Sequence, residues 1–336
     1  DAHLVSYTGI LLPKKIKTSK TKKVYDPIPP LLSDIKFNQT EPYNNSLPLV
    51  DGKKVYTGCV PVAVAQVMKY YNYPPFTIGD IPAFKTKTLG LSMDFIPKNK
   101  RFNWQNIAPN YKSEENKEKI DAIADLMKAI CTACYTDLNV DASPSFSENA
   151  YRALAKYFAF DIEKLHIITS NHYSRAQFEE LVYKELARNR PVLLAGHNHA
   201  FVLDGYEDGL FHINLGWGGT MNGFYEMSLL AAEPTDLNAD KDFILRVALG
   251  TVPKIGETEP PMTANLWVSN FKNPELNENL SSSGDVSGSI LCTVHANSFK
   301  DIVSHVNAGY TDENGKWVLI GTDGFTFKGE CGYGTG

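Results

Sequence analysis

Pro61, near the head of the stretch TGCVPVAVAQVMKYYNYP (residues 57–74), constrains this chain more than any other single residue. A proline lacks a backbone N–H and is tolerated in a helix only within the first turn. A helix through Val62–Tyr71 must therefore begin at about Gly58 or Cys59. Val60, Val64, Val67, Met68 and Tyr71 recur at helical spacing and make one stripe apolar, and Ala63 and Ala65 extend that character to the other side. Such a helix is packed inside a domain. Cys59 is then a thiol at the positive end of a buried helix, behind a glycine that lets other backbone come close. That location is expected to lower the thiol pKa and favour the thiolate, the form that acts as nucleophile. The competing reading is a free, packed cysteine, since cysteine is among the most buried residue types. Deciding between them requires a base and an orienting group elsewhere in the chain.

At 336 residues the chain is too long for one small core and suggests two domains. Apolar residues at 43% and charged residues at 21% are ordinary for a globular protein. A formal net charge of −5 gives no argument for nucleic acid or an anionic membrane surface. No apolar run approaches the ~20 residues that span a bilayer. The first residue is Asp1, not Met, as expected of a processed or trimmed chain whose export signal has been removed. Five cysteines are too few and too uneven for a disulfide framework.

Residues 1–30 read as an arm. Lys14, Lys15, Lys17, Lys20, Lys22 and Lys23 crowd a segment that runs into Pro27, Pro29 and Pro30, an extended connector. It is either a solvated leader or the remnant of a propeptide cut within the lysine run. Ser33–Tyr43 is a short extended piece ending in a turn at Glu41–Pro42, and a side-chain amide at Asn38 or Gln39 could donate to a developing oxyanion. Tyr73-Pro74-Pro75 stops the central helix, and residues 76–117 read as loop with a little strand, with Phe102–Trp104 tucked inward. Glu118–Tyr135 is a helix whose buried stripe carries Cys131 and Cys134, so that pair reads as core packing and not as a metal or redox motif. Asp141–Ser147 is a polar loop leading into a helix over Glu148–Phe158. Ser174-x-x-Gln177 is a capping box for a helix over Arg175–Arg188.

From Val192 the period changes to that of strands: Val192–Ala195, His199–Asp204, Leu210–Leu215 and Phe224–Met227, an antiparallel meander. Helices followed by sheet make an α+β domain over residues 31–250. Residues 251–262 read as a linker. Beyond it lie strands at Ala264–Asn270, Ser289–Ala296, Ile302–Tyr310 and Trp317–Thr322, with a hairpin turn at Asn314-Gly315. Residues 263–336 are thus half of a β-sandwich, incomplete or paired with something else.

His199 is the candidate base. It follows Cys59 by about 140 positions and Asn214 lies on the next strand, the order and spacing of papain-like thiol proteases. In such a site the thiolate attacks the peptide carbonyl, the imidazolium protonates the leaving amine and Asn holds the imidazole tautomer. Positions 199, 201 and 203 share a strand face, so Asp204 points away from His199 and cannot orient it. His212 and Asn214 share a face, which leaves His212 as the rival orienter. His197, His199 and His212 could instead ligate a metal, but that leaves the thiol helix unexplained and supplies no carboxylate at the right parity. Trp217-Gly218-Gly219 reads as a turn that would let a substrate backbone pass an indole wall.

These residues, in this order, resemble the streptopain family of secreted cysteine peptidases, which have a papain-like fold. The resemblance is carried by FNQTEPYN at 37–44, TGCVPVAVAQVMKYYNYP at 57–74, HAFVLDGY at 199–206 and FHINLGWGG at 211–219, continues through NGFYEMSLL at 222–230, and covers roughly residues 31–235. It implies a helical half packed on an antiparallel half. Cys59 becomes the nucleophile, His199 the base, Gln39 the oxyanion donor and Asn214 the orienter, with Trp217 part of the wall around the pair. It implies an endopeptidase working through an acyl-enzyme, with protein or peptide substrates, no cofactor and no metal. It further implies export to the medium or cell surface as a zymogen inhibited by its own propeptide, and a β-rich C-terminal extension.

The chain departs from the family pattern at Asn198, where glycine is usual, at Leu215, where tryptophan is frequent, and in the loop Asp141–Ser147, where a Gly/Ser-rich segment is replaced. None removes a catalytic group. Asn198, Ser145, Phe146, Trp217 and Gly218 border the expected cleft and so bear on substrate preference. The altered loop and Asn198 would also suit an alternative, a catalytically decayed domain that presents the β-rich tail as a binding or adhesion protein.

Overall fold

A computed structural model describes residues 25–111, 116–162, 164–170, 173–196, 198–230 and 245–254, and beyond these the backbone of the strand segments 266–269, 275–276, 288–289, 293–296, 302–311 and 317–327. The lysine run at 14–23, His197 and the turn Asn314-Gly315 lie outside the described residues. The chain divides into two compact units, Asp1–Pro260 and Pro261–Gly336.

In the first unit, a two-stranded ribbon of β1 (Leu49–Val50) and β2 (Lys53–Lys54) leads into α1 (Cys59–Tyr71), which starts where Pro61 requires. Every residue from Val60 to Met68 is buried. Asn72 ends the helix in the left-handed conformation, its N–H returning to the carbonyls of Met68 and Lys69. The small ribbon of β3 (Phe84–Lys85) and β4 (Ser92–Met93) interrupts the following loop, and the Trp104 indole donates to the Pro74 carbonyl at 2.6 Å. Helix α2 (Lys117–Ala133) begins one residue before the expected start because Asn116 caps it, accepting from Lys119 N–H at 3.0 Å. Next come α3 (Ser147–Lys156), β5 (His166–Thr169) and α4 (Arg175–Leu186), the last opened by the Ser174/Gln177 capping box.

The remaining strands are β6 (Val192–Gly196), β7 (His199–Glu207), β8 (Leu210–Asn214), β9 (Gly223–Tyr225) and β10 (Leu245–Leu249). They form one six-stranded antiparallel sheet in the order β5-β10-β6-β7-β8-β9. This corrects the meander expected from the sequence, which holds only from β6 to β9. β10 inserts between β5 and β6 and so buries Leu245, Val247, Ala248 and Leu249. Helix α1 packs on β6 and β7 of the sheet and on α2 and α3, and so joins those two helices to the sheet, while α4 packs on β6 and β7 as well.

Two further differences concern the ends of this unit. β6 pairs with β7 only up to Leu203, so the edge of β7 beyond it is open. The arm covers it, with Ile28 and Tyr206 exchanging both backbone hydrogen bonds at 2.7 and 2.8 Å and Leu31 N–H donating to the Asp204 carbonyl at 2.7 Å. Residues 251–254, expected to open the linker, are instead held to 159–161: Asp161 N–H donates to Val252, Lys254 N–H donates to Ala159, and Thr251 and Val252 are buried.

In the second unit β11 (Leu266–Ser269) pairs with β14 (Thr293–Ala296), β12 (Glu275–Leu276) with β13 (Gly288–Ser289), and β15 (Ile302–Thr311) with β16 (Trp317–Phe327), all antiparallel. The last two are the pair that the Asn314-Gly315 turn predicts.

Candidate active site

Cys59 is the first residue of α1, behind Gly58 at φ 85°. No L side chain fits there: a Cβ would collide with the carbonyl of Ser143, so the loop 141–147 closes against the helix head through backbone. Ser143 is held by its own segment, its hydroxyl accepting from Asn139 N–H at 2.9 Å. Gly58 was the sequence signal for this approach, although the loop that makes it was not legible.

The Cys59 sulfur is approached by the backbone N–H groups of Ala200, Val60 and Cys59 itself. Ala200 follows His199 directly, at the start of β7, the strand on which α1 packs. Those amides pull the thiol pKa down, as the helix end was expected to do, but burial outweighs them and the net shift is upward. The expectation of an intrinsically acidic thiol is therefore corrected: desolvation penalises a lone thiolate more than the helix end rewards it. Cys59 nevertheless keeps part of its surface open, whereas Cys131 and Cys134 are fully enclosed, with burial raising the pKa of both.

His199 opens β7 and is 8% exposed. Its ring lies 4.8 Å from the Trp217 ring and 5.9 Å from that of Phe201, centroid to centroid. Burial among these aromatics lowers its pKa to about 4, opposed by the hydrogen bond from Nε2 to the Leu215 carbonyl at 2.9 Å. That bond makes Nε2 the protonated nitrogen of the neutral ring and leaves Nδ1 as its basic atom.

The orienting contact thus comes from the residue after Asn214, and from backbone. The Asn214 side chain has other partners: its Nδ2 donates to the Ile35 carbonyl at 2.6 Å and its Oδ1 accepts from Gly216 N–H at 3.2 Å. It braces the 214–216 segment that presents the Leu215 carbonyl. The departure at position 215 costs this contact nothing, because any residue supplies the same carbonyl. A backbone acceptor leaves no side-chain signature, which is why sequence reasoning missed it.

His212, the rival orienter, is turned elsewhere: its Nδ1 donates to Asp204 Oδ1 at 2.6 Å, and Asp204 Oδ2 accepts from Leu32 N–H at 2.9 Å. Among the described residues no group of three His, Cys, Asp or Glu is arranged to hold a metal.

Gln39 is half-buried, and its carbonyl accepts from Thr57 N–H at 3.1 Å, which ties it two residues from Cys59. Trp217 is half-buried and Gly218 exposed, with Gly218 N–H donating to the Phe37 carbonyl at 2.8 Å. Ser145 donates to the Thr136 hydroxyl at 2.8 Å, Phe146 is 77% exposed and Asn198 is exposed. The arrangement offers a partly open thiol at the head of a helix, amide donors at that helix end and a buried imidazole at the start of the strand on which the helix packs, a set suited to acyl transfer.

Comparison with known proteins gives a consistent result. The model of the Peptidase C10 family matches residues 37–225. Streptopain of Streptococcus pyogenes is 32% identical over 246 residues, covering 65% of this chain and 61% of that protein. The thiol protease/hemagglutinin PrtT of Porphyromonas gingivalis is 32% identical over 202 residues, covering 58% of this chain and 23% of that protein. The matches therefore span less than two thirds of these relatives' lengths. Among solved structures, a Prevotella intermedia prointerpain A fragment superposes with a TM-score of 0.61 at 27% identity, over 71% of this chain and 76% of that one. Active wild-type interpain A of the same organism gives 0.60 at 25%, over 71% of this chain and all of that one. The first unit accordingly has the α+β, papain-like fold.

Proposed function

The chain belongs to the peptidase C10 family, and we propose that it is a cysteine endopeptidase whose nucleophile is Cys59 and whose acid–base group is His199. The observation that carries this reading is the packing of α1, which begins at Cys59, on β7, which begins at His199. In the reaction the thiol proton passes to Nδ1 of His199 as sulfur attacks the substrate carbonyl carbon. The carbonyl oxygen, now an oxyanion, is met by the Gln39 amide. The imidazolium then gives its proton to the leaving amine and the C–N bond breaks, leaving an acyl-enzyme. Water, deprotonated by His199, attacks the thioester and releases the acid and the thiol.

Burial disfavours either charge alone, so the thiolate and imidazolium are stable only as a pair. Asn214 acts behind Leu215, and Trp217, Gly218, Asn198, Ser145 and Phe146 border the substrate path. The substrates are proteins or peptides, and the natural setting is outside the cell or at its surface. Residues 1–30 are an N-terminal arm or the remnant of an inhibitory propeptide, residues 31–250 the peptidase, and the β-rich unit has a separate role. Among the described residues no helix is long and apolar enough to cross a membrane.

The test is hydrolysis of denatured casein by the full chain and by Cys59→Ala. Turnover lost in the variant, with iodoacetamide reacting at Cys59 ahead of Cys131 and Cys134, supports the reading. A wild-type chain that binds protein without cleaving it favours a decayed, adhesive domain instead.

A further inference from the structure

Gln66 interrupts the buried run of α1. From Val60 to Met68 every other enclosed residue is apolar, and Gln66 itself has no exposed surface. Burying a primary amide is unfavourable unless its hydrogen bonds are made. Its Oε1 accepts from the N–H of Phe37, also fully buried, at 3.3 Å. Its Nε2 has no hydrogen-bond partner among the described residues. That nitrogen lies beneath Gly216, where a Cβ would stand 3.8 Å from it and only 2.7 Å from Val62 Cγ1. Gly216 at φ 72° is thus the close approach that brings the 214–217 turn onto this face of the helix.

Phe37 belongs to the segment that carries Gln39, and the other tethers of that segment go elsewhere. The Ile35 carbonyl accepts from Asn214, the Phe37 carbonyl from Gly218 N–H, and the Gln39 carbonyl from Thr57 N–H, just ahead of the helix. Among the described residues, only the bond to Gln66 ties the segment to the interior of the helix whose first residue is the nucleophile. That bond opposes sliding of the segment along the helix.

We propose that Gln66 is a positioning residue of the peptidase reaction, setting the distance between the Gln39 amide and the Cys59 sulfur by fixing Phe37 on α1. The inference rests on the peptidase reading above and assigns Gln66 no contact with substrate. A misplaced oxyanion donor lowers the rate of tetrahedral chemistry while leaving the thiol–imidazole pair intact.

The experiment compares the full chain with Gln66→Met, which keeps length and removes the acceptor, and Gln66→Glu, which keeps an acceptor for Phe37 N–H. Three readings are taken: kcat and KM on a peptide substrate, the affinity of a peptide aldehyde, and the rate of Cys59 with dipyridyl disulfide. The aldehyde adduct carries its oxyanion where the intermediate does, whereas the disulfide reaction needs only the thiolate. Gln66→Met is expected to lower kcat about tenfold and weaken the aldehyde by the same factor, with KM and the disulfide rate within about twofold. Gln66→Glu is expected to recover most of both losses. Gln66→Asn, whose acceptor is drawn back by one carbon–carbon bond, takes the place of the Met variant if that chain does not fold, with the same expectation. Wild-type kcat and aldehyde affinity in the acceptor-lacking variant, or a disulfide rate that falls in step with kcat, overturns the inference while leaving the peptidase reading intact. A wild-type chain without turnover overturns both.

Discussion

His199 and His212 stand on neighbouring strands of one sheet, β7 and β8, in opposite surroundings. His212 has a buried carboxylate: Asp204, with no exposed surface, accepts from its Nδ1 and from the amide of Leu32. His199 instead meets a neutral acceptor, the Leu215 carbonyl, and lies near the rings of Trp217 and Phe201. An imidazole paired to a fixed carboxylate is a clasp, here holding the arm at residues 31–32 to the sheet. A buried imidazole that meets a neutral carbonyl is favoured in its neutral form, and on the proposed reading the Cys59 thiolate would stabilise its protonated form, which suits it to pass a proton during a reaction. On the proposed reading these neighbouring strands use one residue type for attachment and for chemistry, and the surroundings decide which.

The largest test of that division exchanges the losses. His199→Ala is expected to lower kcat/KM about 10³-fold, in the range for a removed general acid–base group. His212→Ala is expected to leave kcat/KM within about threefold but to lower the unfolding free energy by about 3 kcal/mol, because Asp204 then keeps a buried charge with one donor fewer. Peptide turnover and urea unfolding on both variants check this. A loss of turnover in His212→Ala as deep as that in His199→Ala would erase the distinction.

A second test uses pH. The folded chain holds His199 neutral down to about pH 4, whereas the unfolded chain protonates it below its ordinary value of 6.5. Between those values the unfolded state binds the extra proton, so this contribution is present above pH 6.5 and is lost as pH falls toward 4. Its size is at most about 3.5 kcal/mol, since a tenfold change in proton affinity is worth about 1.4 kcal/mol. Urea unfolding across this window should therefore weaken more steeply for the wild type than for His199→Gln. Parallel curves would show that His199 is not buried as neutral imidazole.

What was legible in the sequence follows the same line between side chain and backbone. Pro61 set the start of α1, the capping box set α4, and strand parity correctly turned Asp204 away from His199, because each is written in side-chain identity. β10 was missed: Leu245–Leu249 is a short apolar run after a polar stretch, and nothing local says that it enters the sheet between β5 and β6. The carbonyls of Leu215 and Ser143 and the amide of Ala200 are common to every residue, so no spacing argument could find them. The direction of the Cys59 shift was misjudged for a related reason. The helix end is visible in sequence, whereas the enclosure that opposes it is made by β7 and other packed segments far away in the chain.

The finest test asks how far the aromatic wall alone keeps His199 from resembling an exposed histidine. Trp217, 4.8 Å from the imidazole, is itself half-buried, so removing its indole admits water to one side of the ring. Desolvation is the larger cause of the depressed pKa, and the Leu215 bond already opposes it. Trp217→Ala should therefore move the His199 titration upward from about 4 toward 6.5. In a Cys59→Ala background, imidazole NMR reads that movement without interference from the thiol. A His199 midpoint unmoved by the loss of the indole would assign the desolvation to Phe201 and the strand beneath, and Trp217 would then serve the substrate path alone.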